Sequence, residues 1–388
     1  RSSDLGASGG ASQAWTMALL DERIKVIVPA CMLSSHYQGG CQCEEGPLLR
    51  LNGVTSFDIV SALAPRPMLL TSVNSDWTNL LPKYEYPALQ KVYKLFSAEN
   101  KLSFIYAEAE HNYNKFTRER VYPWFTHWLL NQAAREKIAE DELEVPGEDL
   151  MLHSSENKIV SLQAQKETLQ KLQEHYTEPA LFKQNSEISF VDWQENRREE
   201  LSKIINNDKE LHSIAMRVSY PSWQVRSTKV QGCLLSRREK ADVISAAWIK
   251  QEEKNNKFPT FIIVAENHKR EFFPGGRHAV LLDMLLNRQC NVLIVELLGS
   301  GETAAMLEKS VRDENEPTFH AFNASLFSFR VQDILSSLTL LDENIEGDIT
   351  LIAAGEAARA ALCAMPLAKQ KINAFIDLDK VSDSPEAW

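Results

Sequence analysis

The chain has no run of 18 apolar residues, so no stretch of it is long enough to span a bilayer as a helix. It is short of positive charge: 42 Lys and Arg stand against 53 Asp and Glu, a formal net charge of −11. A surface of that sign repels phosphate backbones and anionic headgroups, which excludes nonspecific nucleic-acid binding and adsorption to acidic membranes. No short-period repeat and no low-complexity tract is evident, which argues against solenoids and propellers. No secretory leader is present. That absence is uninformative, because the chain reads as if it starts inside a fold. Cysteine is sparse: the six are Cys31, Cys41, Cys43, Cys233, Cys290 and Cys363, and an even count in 388 residues says nothing about pairing. Cys290 and Cys363 lie in apolar stretches and read as buried free thiols.

What remains is an ordinary globular composition, 44% hydrophobic and 24% charged, with length for two or three domains. Residues 1–133 alternate strand and helix signals. Ile24–Pro29, Met68–Val73 and Leu102–Ala107 read as strands. Ala11, Ala14, Trp15, Ala18 and Leu19 share one helix face, as do Leu89, Val92, Tyr93 and Phe96. A last helix carries Val121, Trp124, Phe125, Trp128 and Leu129, with Pro123 in its first turn or kinking it. Residues 134–208 read as an acidic helical linker, with polar helices at Gln163–Tyr176 and Trp193–Ile205. Ala134 to Asp208 holds 17 acids and 9 bases, so much of the chain's negative charge sits there. Residues 209–388 alternate again, with strands at Pro259–Ala265, Asn291–Leu297, Ile349–Ala354 and Ile372–Leu378. Helices are expected at Arg277–Arg288 (Val280, Leu281, Met284 and Leu285 inward), Phe329–Leu341 (Val331, Ile334, Leu335 and Leu338 inward) and Glu356–Ala364. The expected class is α/β, with mostly parallel sheets covered on both faces.

One turn carries chemistry. Gly6-Ala7-Ser8-Gly9-Gly10 matches G-x-S-x-G at the entry to a helix. A serine at a tight strand-to-helix turn sits in strained backbone, so small residues are needed two before and two after it, here Gly6 and Gly10. The turn lifts the hydroxyl above the sheet. The N–H of Gly9 then points at the place where a tetrahedral oxyanion forms, and the helix N-terminus adds partial positive charge. A serine hydroxyl needs a base, and the base needs an acid to orient it. Asp76 follows the strand Met68–Val73 and His111 follows Leu102–Ala107. Serine, acid and histidine thus lie in the order Ser, Asp, His at three strand ends on one sheet edge. Glu44, Glu45 and Glu108 are rival acids. Trp15, Trp77 and Tyr113 are candidate aromatic neighbours, Trp15 fitting the core better.

His36, Cys41, Cys43 and Glu44 form a loose H-x4-C-x-C-E cluster. The spacing is not that of a zinc knuckle and no second pair exists, so no metal and no cofactor is expected. A disulfide in this loop, with or without Cys31, suits an exported protein.

At this point residues 1–133 resemble the α/β-hydrolase superfamily, in particular dienelactone-hydrolase and acetyl-xylan-esterase-like bacterial enzymes. The pieces that carry the resemblance are GASGGASQ (6–13), LLDERIKVIVPACMLSSHYQGGCQCE (19–44), APRPMLLTSVNSDWT (64–78) and EHNYNKFTRERVYPWFTHWL (110–129). The resemblance implies Ser8 as nucleophile, Asp76 as acid and His111 as base, acting on carboxylic esters, with a small-molecule or carbohydrate ester as partner and a location in the periplasm or outside the cell. Prolyl-oligopeptidase-type peptidases share the fold and the residue order, and a non-catalytic binding protein is a third reading. Residues 209–388 look like a second hydrolase sheet whose elbow-like turn is Ala353-Ala354-Gly355-Glu356-Ala357. Its nucleophile position is Gly355, or Ala357 in a shifted register, and neither attacks a carbonyl, so this domain is expected to be non-catalytic. Arg1–Leu5 is short and polar for a central strand, and the chain stops soon after Ile372–Leu378. Both ends therefore look cut, and the first domain is expected to be the C-terminal part of a catalytic hydrolase domain.

Overall fold

The computed structural model describes residues 3–36, 43, 54–142, 162–176, 188–205, 214–218, 222–237, 243–251, 258–309, 312–316 and 319–378. Two compact units form, 1–39 with 55–194, and 40–54 with 195–388.

The first unit holds β1 (Ser3–Ala7), α1 (Gly9–Leu20), β2 (Val26–Ala30), α2 (Ser56–Ser61), β3 (Met68–Ser75), α3 (Glu85–Leu95), β4 (Leu102–Glu110) and α4 (Lys115–Leu130). Its sheet runs β1-β2-β3-β4 with every pair parallel. Parallel neighbours require crossover connections, and α1, α3 and α4 lie in them or after them. All the carboxyl ends therefore sit on one edge. Val26–Ala30 is buried at every position, as expected of a strand covered on both faces. Ala11, Ala14, Trp15 and Ala18 are the buried stripe of α1, which puts Trp15 in the core.

Several expectations are corrected. The strand before Gly6 does not stop at Leu5. It extends to Ala7 and pairs Ser3 to Ala7 with Val26 to Ala30. Phe96 is 53% exposed and caps α3 instead of joining its buried face. Of the two placements left open for Pro123, the structure has the one within the helix, in the middle of α4. A proline there leaves the carbonyl four residues earlier without its helical donor. That carbonyl, on Glu119, accepts from the Ile138 N–H at 2.8 Å. The chain after α4 thus returns to satisfy the proline's orphan, and Arg118 and Tyr122 hold Glu140 beside it.

Polar helices α5 (Leu162–Tyr176) and α6 (Phe190–Ile204) follow. The end of this segment does not behave as a free linker: Ile205 is 2% exposed and sits with Leu201 in the core of the second sheet.

The second unit holds β5 (Ile214–Val218), β6 (Trp223–Val225), β7 (Thr228–Arg237), β8 (Val243–Ile249), β9 (Thr260–Ala265), α7 (Ala279–Asn287), β10 (Asn291–Glu296), α8 (Ala304–Glu308), α9 (Phe319–Phe322), α10 (Leu326–Asn344), β11 (Ile349–Ala354), α11 (Glu356–Ala364) and β12 (Ile372–Asp377). The strand order is β12-β11-β9-β10-β8-β7-β5, with β6 on β7. β12, β11, β9 and β10 are mutually parallel, and β8, β7, β5 and β6 are antiparallel. From β9 the chain moves to β10 on one side, then returns to β11 on the other. The strand order thus reverses at β9, and such a reversal opens a crevice at the strands' carboxyl ends.

The inward residues of α10 are those expected: Val331, Ile334, Leu335 and Leu338 are buried. In α7 the buried set is Leu282, Leu285 and Leu286, while Val280 and Met284 are 71% and 47% exposed. That helix is apolar nearly all round, so its periodicity does not choose a face, and packing against the sheet does.

The tight turn at Ser8 makes a stability prediction. A Cβ on Gly6 would lie 1.8 Å from the Gly10 carbonyl oxygen, whereas a Cβ on Gly10 meets nothing within 4 Å. The need for smallness after the serine is thus not steric. Gly6→Ala is expected to lower the thermal midpoint, by roughly 1–3 kcal/mol of stability. Gly10→Ala, inside a helix, is expected to leave it unchanged or raise it by up to about 1 kcal/mol. Equal melting of the two variants would contradict the turn geometry.

Candidate active site

Ser8 stands between β1 and α1 with φ 55° and ψ −124°. A non-glycine residue there is strained, typically by about 1–3 kcal/mol, and needs fixing from outside. Its N–H donates to the Ala30 carbonyl at 2.9 Å, and its carbonyl accepts from Ala11 N–H at 2.8 Å. The Gly9 N–H, first in the helix, has no intrahelical carbonyl to bond, since Leu5 four residues back lies in β1, and is left for an external acceptor.

Asp76 follows β3 and is almost fully buried, with 5% of its side chain exposed. Its carboxylate has three partners. Trp77 N–H reaches Oδ1 at 2.7 Å, Thr78 Oγ1 donates to Oδ2 at 2.9 Å, and His111 Nδ1 lies 3.0 Å from Oδ2. His111 follows β4, and 42% of its side chain is exposed. With Nδ1 given to the carboxylate, Nε2 is the nitrogen left to exchange a proton. The Asn114 side chain accepts from Thr117 N–H and caps α4, so the His111 loop is short and ends in a fixed helix.

The structure therefore brings two of the three singled-out side chains into contact. The third, Ser8, is placed on the same sheet edge. Among the described residues its hydroxyl forms no hydrogen bond, to His111 or otherwise. Between them lies Cys31, directly after β2, with φ 49°. Its thiol donates to the Asn112 carbonyl at 3.4 Å and lies 3.7 Å from Thr71 Oγ1. Ser8 is thus bonded to Ala30, and the next residue is bonded to the loop that carries His111.

Two tethers escaped the sequence reading. Thr78 fixes Asp76, and a D-x-T spacing after a strand is a signal that could have revealed it. Asn74 Oδ1 accepts from Ala109 N–H at 2.9 Å and ties the acid loop to the end of β4, a pairing no local pattern announces. Trp77 is half-buried beside Asp76 and lies edge-on to His36, their rings 6.2 Å apart. Tyr113 packs on the core under β2 and β3, where burial pushes its phenol up to about 12.

The rival acids Glu44 and Glu45 and the thiol Cys41 lie outside the described residues. Cys43 is disulfide-bonded, so it has no thiolate to give a metal. Cys31, Cys233, Cys290 and Cys363 are free, which removes Cys31 from the loop's disulfide. Among the described residues no group of three or more His, Cys, Asp or Glu is arranged to hold a metal, and no helix is long and apolar enough to cross a membrane.

No protein-family model and no curated protein matches the chain. Solved structures similar to it include a methylesterase, 31% identical, TM-score 0.31, over 32% of this chain and 29% of that one. Another is a protein assigned as an acetyl xylan esterase from Bacteroides fragilis, 12% identical, TM-score 0.42, over 55% and 59%. A third is a glucuronoyl esterase from Solibacter usitatus, 11% identical, TM-score 0.32, over 46% and 56%. The chain spans less than two thirds of each of these proteins. Scores this low say nothing of substrate.

Burial also raises the Cys31 thiol above its ordinary value, so little thiolate exists at pH 8. Iodoacetamide at pH 8 is expected to leave Cys31 unmodified in the native chain and to alkylate it after denaturation, as read by peptide mass spectrometry. Fast alkylation of the native protein at Cys31 would contradict the packing described.

Proposed function

We propose that the first unit is a serine hydrolase acting on carboxylic esters. Ser8 attacks the acyl carbon. His111 Nε2 accepts the hydroxyl proton and returns it to the departing alcohol. Asp76 orients the imidazole and stabilises its charged form. The Gly9 N–H donates to the oxyanion. Water then repeats the sequence on the acyl-enzyme and releases the acid. The observation that supports this most directly is the buried Asp76 carboxylate 3.0 Å from His111 Nδ1, at the same sheet edge as a serine held at φ 55°. A carboxylate so placed has no packing role that an apolar residue would not fill more cheaply.

The pieces of residues 1–133 that resemble acetyl-xylan-esterase-like enzymes support an ester carried on a carbohydrate as the substrate class we propose, with acetyl xylan the first polymer to assay. Peptidase chemistry of the prolyl-oligopeptidase type would use the same three residues, and an amide substrate distinguishes it.

The test uses the full chain with p-nitrophenyl acetate and a fluorophosphonate probe. Wild type is expected to turn over the ester and to be labelled at Ser8. Ser8→Ala is expected to lose labelling and at least about 10³-fold in kcat. Asp76→Asn, which leaves the wrong imidazole tautomer, is expected to lose about 10⁴-fold with the fold intact. An unchanged rate in Ser8→Ala would refute the proposal.

A further inference from the structure

The second unit repeats the elbow of the first without its nucleophile. Gly355 has φ 59° and ψ −138°, against 55° and −124° at Ser8. Its N–H donates to the Asp377 carbonyl at 3.1 Å, and its carbonyl accepts from Ala358 N–H at 3.0 Å, matching the two bonds of Ser8. This identifies position 355, not 357, as the nucleophile position. The space of the missing side chain is filled: a Cβ on Gly355 would lie 2.4 Å from Glu266 Oε1. A carboxylate reaching in from the end of β9 has taken the place of the hydroxyl.

That carboxylate is one wall of a crevice of about 450 Å³ at the carboxyl ends of β9, β10 and β11. The volume suits a small molecule, and the strand-order reversal is where open α/β sheets bind ligands. Glu266, Asn267, His268, Gly299, Arg330 and Glu356 line it. Below lies a rigid polar floor. Glu296 is fully buried, 3.1 Å from Lys269 Nζ and 2.8 Å from His268 Nδ1, and it accepts from the Glu302 N–H at 3.1 Å. Gly301 is required there, because its Cβ would sit 2.2 Å from the Glu296 carboxyl carbon.

The charges of the lining do not cancel. Each acid in it has a guanidinium nearby, Arg277 at 3.9 Å from Glu266 and Arg359 at 3.4 Å from Glu356. Arg330 has none in return. Its Nε donates to the Leu298 carbonyl at 3.0 Å, and among the described residues no carboxylate lies within 4.0 Å of its fork. Gly299 runs close beside that fork: a Cβ there would lie in van der Waals contact with Nη2, at 3.6 Å, and would clash with Leu307 at 2.5 Å. Burial lowers the Arg330 pKa, although Glu356, Asp333 and Glu314 act against the shift, so the charge is held partly desolvated. A desolvated planar fork with two free nitrogens fits a carboxylate. Glu266, Glu356 and Asn267 around it are acceptors suited to hydroxyl groups.

We propose that this crevice binds, without turnover, a polyhydroxylated ligand bearing one carboxylate, of the hexuronic-acid class. The ligand's carboxylate pairs with Arg330, and its hydroxyls donate to Glu266 and Glu356. The site is independent of Ser8 and stands whether or not the first unit hydrolyses esters.

Calorimetric titration of the full chain tests it, with D-glucuronate and D-galacturonate against D-glucose, D-galactose and acetate. At least one uronate is expected to bind about tenfold or more tightly than its neutral sugar and than acetate, because only it uses both the fork and the acceptors. Arg330→Gln is expected to bring uronate binding down to the level of the neutral sugar, and Ser8→Ala to leave it unchanged. Should Arg330→Gln fail to fold, Glu356→Gln, on a side chain that is 55% exposed, replaces it, with a several-fold loss expected for uronate and none for acetate. Equal affinity for uronate and neutral sugar, binding that survives Arg330→Gln, or no saturable uronate binding at concentrations on the order of 10 mM would overturn the proposal.

Discussion

The first unit is organised around one strained residue. Ser8 holds a backbone conformation that few side chains adopt, and it holds it because the strand ahead and the helix behind are both anchored. Gly6 allows the helix to start within van der Waals reach of the strand, and the Ala30 carbonyl takes the Ser8 N–H. Removing either contact relaxes the turn, and the hydroxyl then no longer stands above the sheet. Everything proposed about acyl transfer depends on that local geometry being over-determined by its surroundings.

The remainder of the edge is assembled by parallel register. Because β1 to β4 all run the same way, whatever follows each strand arrives on one side. Ser8, Cys31, Asp76 and His111 are each the first residue after their strands. Short polar tethers then set the distances between them: Cys31 to the Asn112 carbonyl, Asn74 to Ala109, and Thr78 to Asp76. The sheet supplies coarse proximity and the tethers supply fine orientation, which is the division of labour that a preorganised site requires.

The second unit holds a turn of the same geometry with glycine in place of serine. The elbow at Gly355 keeps the dihedral angles and both backbone bonds of the first, so the turn is a property of the strand-helix junction and not of the serine. The two turns differ in what lies beside them: the Glu266 carboxylate fills the space a side chain at Gly355 would take, and among the described residues no carboxylate lies within 4.0 Å of the Arg330 fork.

The alternation of strands and helices, the polar helices between the units and the candidate Ser, Asp and His positions were all legible in the sequence. Buried parallel strands are continuous apolar runs, and the turn at Ser8 needs a glycine two residues before the serine, so both leave local marks. The antiparallel strands β5 to β8 left weaker ones, since strands at the antiparallel side of a sheet carry mixed patterns. The face of α7 was undecidable, because apolar residues surround that helix and only packing on the sheet selects Leu282 and Leu286 over Val280 and Met284. The carbonyl of Glu119, freed by Pro123 and reclaimed by Ile138, could not be anticipated, because it pairs residues far apart in the chain. The sequence alone thus determined which residue types end which strands, a matter of local order. The contact of His111 with Asp76, the entry of Glu266 into the space at Gly355 and the isolation of Arg330 were decided by tertiary structure alone. Each depends on distances across neighbouring strands, which no linear spacing encodes.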